Sequence, residues 1–256
     1  MTLTTDFGLK DSYVAEMKGR ILGLCPDAVL VDISHQVPPG DIAAGAFILG
    51  RAAGAFPPGT VHLAVVDPGV GGSRPALAAA TPDGFAVGPD NGLLAPLLGE
   101  ARLVRLAMDP QAMPPASATF HGRDLFAPAA ARLAAGTPLE QLGEPLDTYQ
   151  QLPARGAACS VLHVDHFGNC VTDIDPKEVP AGGDWQVLAG SHTITRRVTA
   201  YHEAATDEPV LLQGSDGRIE IAIRDGRAAA TLKLAVGQTL TVESNLSRPP
   251  RREKIR

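Results

Sequence analysis

The chain has 256 residues, a formal charge of -6 and a hydrophobic fraction of 45%, enough to bury one large core or two modest ones without staples. Its acidic balance argues against a polyanion-binding surface, and Cys25, Cys159 and Cys170, odd in number and without a CxxC pair, argue against a disulfide framework or a structural zinc site. A reducing, cytoplasmic compartment is expected, with no targeting segment or membrane span, because the chain enters a strand-like run at once and the apolar stretch 42–56 is cut by Arg51.

Along the first 146 residues, short apolar runs alternate with amphipathic helical patterns, which predicts a mainly parallel α/β sheet. The runs are "LTT" ending at Asp6, "AVLVDIS" near His35, "VHLAVV" ending at Asp67, "GFAVG" and "ARLVRLA". Val14, Met17, Ile21 and Leu24 fall three or four apart and predict a helix over 12–24, capped by Asp11 or Ser12. Further helices are expected from Asp41 to about Ala55 and from Asp124 to Ala135, the last closed by Gly136.

From about Ala157 to Leu246 the texture changes to period-two runs between Gly and Asp turns: "CSVLHV", "WQVLAG", "HTITRRV", "PVLLQG", "RIEIAI", "AAATLKL" and "QTLTVES". These predict an all-β, barrel-like C-terminal domain. The expected organisation is an α/β domain over 1–150, a linker in "DTYQQLPARGA", a β-barrel over 157–246, and a basic, disordered tail over 247–256.

In a parallel sheet, ligands bind beyond the carboxyl ends of the strands. Asp6, Asp67 and His121 all fall at that predicted edge, and the glycines after Asp67 let the backbone skirt a ligand and bring Arg74 back to a carboxylate. Each also has a plain structural use: Asp6 as a turn cap, Asp67 as a turn starter before Pro68, His121 as a satisfied histidine near the core. A metal held by Asp6, Asp67, His35 and His121 is a competing use, but no HExxH or close His pair supports it, so no metal is expected. In the β domain, Asp165 and Asn169 flank a Phe-Gly corner, and Ser215 and Asp216 sit in a turn where ligand and hairpin chemistry are equally good explanations. The amide of Asn169 both donates and accepts, which suits the edge of a nucleobase.

The ordered segments "TDFGLKDSYVAEMKG", "QVPPGDIAAGAF", "VVDPGVGGSR", "GPDNGLL", "TFHGRDLFAPAAA", "DHFGN" and "GSDGRIEIA" closely resemble the SAM hydroxide adenosyltransferases, or SAM hydrolases, relatives of the SAM-dependent fluorinase and chlorinase. The resemblance implies SAM as substrate without a further cofactor, cleavage by water to adenosine and methionine, and a cytoplasmic homotrimer with active sites between the N-domain of one subunit and the C-domain of the next. It implies a catalytic set of Asp67, Arg74 and His121, with Asp6 on the ribose hydroxyls, Asp11 and Asp165 at the methionine end, Asn169 on adenine, and Ser215 as a second substrate contact. Tyr13 stands where the fluorinase has a serine that contacts methionine, and Asp216 replaces that enzyme's methionine-binding arginine. The fluorinase's halide-holding serine is replaced by Gly122, and an anionic Asp67 near the nucleophile would repel a halide, so halogenation is disfavoured. A slow or non-catalytic adenosine binder is the alternative from another class.

Overall fold

A computed structural model of the chain describes residues 1–107, 117–153, 158–180 and 185–244. The expected tail at 247–256 and part of the expected linker lie outside them. The chain forms two compact units, Met1–Ala154 and Arg155–Arg256.

The first unit is built on a seven-stranded sheet of β1 (Thr2–Thr5), β2 (Val31–Ser34), β3 (Thr60–Val65), β4 (Ala76–Thr81), β5 (Gly84–Pro89), β6 (Arg102–Leu106) and β7 (Gly143–Leu146), in the order β2-β1-β3-β5-β4-β6-β7. The pairs β1·β2, β1·β3 and β3·β5 are parallel, while β4 runs antiparallel to both β5 and β6, and β7 antiparallel to β6. Helices cover both faces: α1 (Tyr13–Leu24) and α4 (Ala127–Ala134) pack with one core, α2 (Ile42–Ala53) and α3 (Ala95–Leu98) with the other. This explains the unbroken apolar run of β3, because Val61, Leu63 and Val65 enter the first core while Ala64 and Val66 enter the second. Leu63 is fully buried, so Leu63→Ala is expected to cost about 2–5 kcal/mol.

Two elements depart from the expectation. The strand β4 is not among the expected runs; its "ALAAAT" has little intrinsic β propensity and is held by neighbours on both edges. The helix expected from Asp124 begins as a π-helical turn at Gly122–Phe126 and becomes α-helical at Ala127, with Gly136 beyond its end at φ +89°. The N-cap of α2 is as expected, Asp41 accepting from the Ala44 amide at 2.9 Å, whereas Ser12 at the start of α1 donates to Glu16 at 2.6 Å instead of capping. Tyr149 and Leu152, within the expected linker, pack against the second core.

The second unit is an antiparallel, nearly closed sheet of β8 (Cys159–Val164), β9 (Cys170–Thr172), β10 (Trp185–Ala189), β11 (His192–Ile194), β12 (Pro209–Gln213), β13 (Ile219–Ile223) and β14 (Thr239–Ser244), in the order β11-β10-β14-β8-β9-β13-β12. A bridge between Arg197 and Leu211 joins the chain after β11 to β12, with the Leu211 amide donating to the Arg196 carbonyl at 2.8 Å. The run "AAATLKL", expected as a strand, contains the helix α5 (Ala228–Leu232). Consecutive alanines favour helix, and only Ala228, Leu232 and Leu234 need burial. Among the described residues, no helix is long and apolar enough to cross a membrane.

Candidate active site

The order of strands explains the long loop after β3. Because β5 lies between β3 and β4, residues 66–75 must pass over the carboxyl end of β5 to reach β4, two strand spacings or about 10 Å away. Asn91, just past β5, ties the loop to the sheet by donating to the Val66 carbonyl at 2.9 Å. Gly71 completes the crossing at φ +77°, where a Cβ would lie 2.4 Å from the Ala118 carbonyl oxygen. Only glycine lets this loop and the segment before His121 approach so closely.

That approach unites the three expected catalytic residues. Arg74 Nε lies 3.0 and 3.1 Å from the two Asp67 carboxylate oxygens, and its Nη2 donates both to Asp67 Oδ2 and to His121 Nδ1, the latter at 2.8 Å. The Asp67 side chain is only 4% exposed and that of Arg74 13%, so this pair is shielded from the screening that weakens surface ion pairs. The guanidinium also lies 5.2 Å from the centre of the Phe126 ring. An arginine donates only, so His121 Nδ1 must be the acceptor and the neutral ring carries its proton on Nε2. Burial first, and then the Arg74 charge, lower the His121 pKa, against smaller opposing effects of Asp67 and Asp124.

The loop carrying His121 has its own anchor. Arg123 donates to Asp124 at 2.7 and 2.9 Å and to Glu16 of α1 at 2.7 Å, and Asp124 accepts from the Ser117 amide at 2.8 Å. The Arg123 hydrogen bonds hold the Asp124 carboxyl below its ordinary pKa. The sequence marks Asp124 only as a helix start and gives Arg123 no role, although "GRD" beside that start is a signal for a local ion pair.

Asp67 and His121 line a cleft of about 640 Å³ with Asp6, Phe7, Tyr13, Gly40, Val65, Pro68, Val70, Ser117, Thr119, Phe120, Gly122 and Arg123. Asp6 accepts from the Gly40 amide through Oδ2 at 2.8 Å, so it is both a turn anchor and a wall of the cleft. Tyr13 is 46% exposed. Asp11 is exposed and is not among the residues lining the cleft. His35 is directed elsewhere, with Nδ1 2.8 Å from Thr5 Oγ1 and Nε2 3.1 Å from Asp32. A second hollow of about 370 Å³ is bordered by Arg74, Arg105 and Leu125 and shares His121 with the first.

In the second unit, Asp165 and Asn169 form a closed corner: Asp165 accepts from the Asn169 backbone amide at 2.8 Å and from its side-chain amide at 3.1 Å. Gly168 turns this corner at φ +89°, against Arg227. Ser215 is exposed, and Asp216 accepts from the Arg218 amide at 3.2 Å while its Oδ2 is buried. The pairing of Cys170 with Ile221, and the Ile219 amide donating to Ile174, put the two loops at opposite ends of β9. They do not converge within this unit.

The chain matches the family model for the SAM hydroxide adenosyltransferase N-terminal domain over residues 1–143 and that for the C-terminal domain over 159–241. It is 40% identical over 259 residues to the (R)-S-adenosyl-L-methionine hydrolase of Salinispora tropica, covering 94% of this chain and 97% of the relative. The protein of the same name from Thermus thermophilus is 42% identical over 248 residues, covering 91% and 95%, and more distant relatives are named fluorinase. A crystal structure of an uncharacterized conserved protein from Thermotoga maritima superposes with a TM-score of 0.88 at 34% identity, covering 94% of this chain and 99% of that one. Family models matched over both units and relatives aligned over nearly the full length make this chain a member of the SAM hydroxide adenosyltransferase family.

Proposed function

We propose that this enzyme hydrolyses S-adenosyl-L-methionine, as the (R) epimer at sulfur, to adenosine and L-methionine. The observation that carries the reading is the buried Asp67–Arg74 pair joined to His121 at the edge of the cleft; the hydrolase relatives at about 40% identity support the choice of substrate.

In the reaction, a water oxygen forms a bond to C5′ as the C5′–sulfur bond breaks. The bonding pair goes to sulfur, which leaves as the neutral thioether of methionine, and one proton is released. The leaving group needs no acid, so the protein must act on the nucleophile. A carboxylate offers about four lone-pair sites, and Arg74 occupies three of those on Asp67, leaving Oδ1 able to take a hydrogen bond, then a proton, from the water. The neutral His121 supplies Nε2–H to hold the resulting oxygen, and the Arg74 charge favours hydroxide. No metal or cofactor takes part in this scheme.

The same reading gives Asp6 the ribose diol, for which one carboxylate is a good double acceptor, and Asp11, Tyr13 and Asp165 the methionine end. Asn169, Ser215 and Asp216 complete the adenosine and methionine contacts. Residues 1–150 then act as the nucleoside-binding domain and 157–246 as the C-terminal β-barrel domain that supplies Asp165, Asn169, Ser215 and Asp216. As the family resemblance implies, the complete site lies between the N-domain of one subunit and the C-domain of the next in a cytoplasmic homotrimer. Light scattering tests the assembly, and an active monomer would contradict it.

The deciding experiment is incubation of the purified protein with SAM in water enriched in heavy oxygen, with and without chloride. Label in the 5′-hydroxyl of adenosine is expected. A 5′-halogenated nucleoside would make the enzyme a halogenase, and tight adenosine binding with no conversion would make it a binder.

A further inference from the structure

Phe7, Tyr13 and Phe120 reach the cleft from three separate segments: the turn after β1, the first residue of α1, and the loop before the π-helical turn. Their ring centroids are 6.1 Å apart for Phe7 and Tyr13, 5.8 Å for Phe7 and Phe120, and 5.3 Å for Tyr13 and Phe120, with interplanar angles of 71°, 73° and 80°. Three planes at near right angles make the inside of a box corner. The chain has only seven Phe, three Tyr and one Trp, so abundance does not explain three rings in one cleft. Phe7 and Phe120 pack against the first core on one side, yet both are only half-buried and Tyr13 is 46% exposed, so core packing alone does not explain the cluster.

The corner is held in shape by two neighbours that also border the cleft. Arg123 lies 4.8 Å from the Phe120 ring centre with its charge already paired to Asp124 and Glu16. Phe7 packs so closely on Gly122 that a Cβ there would come within 3.2 Å of two ring carbons. The carboxylates of Asp6 and Asp67 border the same cleft.

We infer that Phe7, Tyr13 and Phe120 form the seat for the S-methyl sulfonium, reading both its charge and its configuration; this rests on the proposed SAM reading. A trialkyl sulfonium has no proton to donate and cannot be neutralised, so a protein recognises it through π faces and nearby carboxylates, as aromatic cages recognise quaternary ammonium. Its sulfur is pyramidal. With the adenosyl and methionine chains fixed, inversion exchanges the methyl group with the lone pair, and a corner of three walls accepts the methyl on one side only. Once C5′–S breaks, the thioether is neutral and loses this attraction, which speeds its departure.

The test is equilibrium binding by calorimetry on the full-length protein in a His121→Ala background, expected to slow turnover below the time of the titration, with three variants added to it: Tyr13→Phe, Tyr13→Leu and Phe120→Leu. The probes are each SAM epimer, the neutral thioether that lacks the methyl group, and adenosine. With the corner intact, one SAM epimer is expected to bind about tenfold tighter than the thioether. Tyr13→Leu and Phe120→Leu are expected to bring that ratio near one and to abolish the difference between epimers, with adenosine affinity held within about twofold; Tyr13→Phe retains both preferences. Because Tyr13 is exposed, Tyr13→Leu keeps the test valid should Phe120→Leu fail to fold. A ratio of one with the corner intact, or a ratio that survives Tyr13→Leu, overturns the inference even where wild-type protein hydrolyses SAM. An intact ratio in a protein that hydrolyses neither epimer would remove the hydrolase reading and leave the seat standing. Failure to bind any of the adenosyl probes would remove both.

Discussion

The loop 66–75 in the first unit and the corner 165–169 in the second are both polar turns at the end of an apolar strand, yet they are tied down in opposite ways. The first is held by groups distant in sequence: Asn91 beneath it, Ala118 beside it, and Arg74 reaching across to His121. The second is held by itself, Asp165 accepting twice from Asn169 four residues on. A turn satisfied locally is a rigid surface feature that can recognise a ligand brought to it. A loop satisfied by remote partners holds groups from several strands in fixed relation, which is what displacement at carbon requires. On the proposed function, chemistry belongs to the first unit, beside part of the recognition machinery, and the second unit serves recognition alone.

The sharpest way to break that division is to remove the groups that only chemistry needs. Asp67→Ala or His121→Ala is expected to lower turnover by about 10²–10⁴ while nucleoside affinity survives, read by product formation against adenosine binding; an unchanged rate would take those residues out of the mechanism. Arg74→Lys is expected to lose about 10² in rate, because a single ammonium cannot span Asp67 and His121 as the fork does, and binding of adenosine should again separate this from misfolding.

A pH profile probes the same loop without mutation. The His121 pKa lies below the ordinary 6.5, lowered by burial and the Arg74 charge, so Nδ1 stays free to accept from Arg74 until the pH falls through that lowered value. Turnover is therefore expected to be level around pH 7 and to fall about tenfold per unit below a midpoint under 6.5; a midpoint above 6.5 would contradict the neutral, arginine-bound imidazole.

Gly71→Ala attacks the meeting of the two loops and should cost about 1–3 kcal/mol in stability with a fall in kcat, measured by thermal unfolding beside initial rates. The smallest effect belongs to the second unit, where Asn169→Ala is expected to raise KM about two- to tenfold with kcat nearly unchanged. A larger fall in kcat than in affinity there would end the division of labour.

Much of this arrangement was legible in the residues, for physical reasons. Strands covered on both faces must be continuously apolar, and the polar residue that ends each must lie at the sheet's carboxyl edge, so Asp6 and Asp67 could be placed together, with His121 joining them from its position just before the third expected helix. The strand β4 could not, because "ALAAAT" has alanine's helical preference and is a strand only through β5 and β6. The reverse error at 228–232 has the same origin: alanines follow their surroundings. The π-helical turn at Gly122 carries a tie from Arg123 to Glu16 of α1, 107 positions away, which no local pattern announces, and the meeting of Phe7, Tyr13 and Phe120 leaves no periodic trace. Nor did the turn residues around β9 reveal that they face opposite ends of a three-residue strand.

The crossing of residues 66–75 over β5 also bears on how the protein folds. Antiparallel pairing of β5 with β4, a local hairpin, and parallel pairing of β3 with β5 must both exist before the loop has a fixed span to cross, and the second, non-local pairing is the slower to form. The catalytic geometry is thus a late product of the sheet, and in a refolding experiment recovery of turnover is expected to trail the recovery of helical signal.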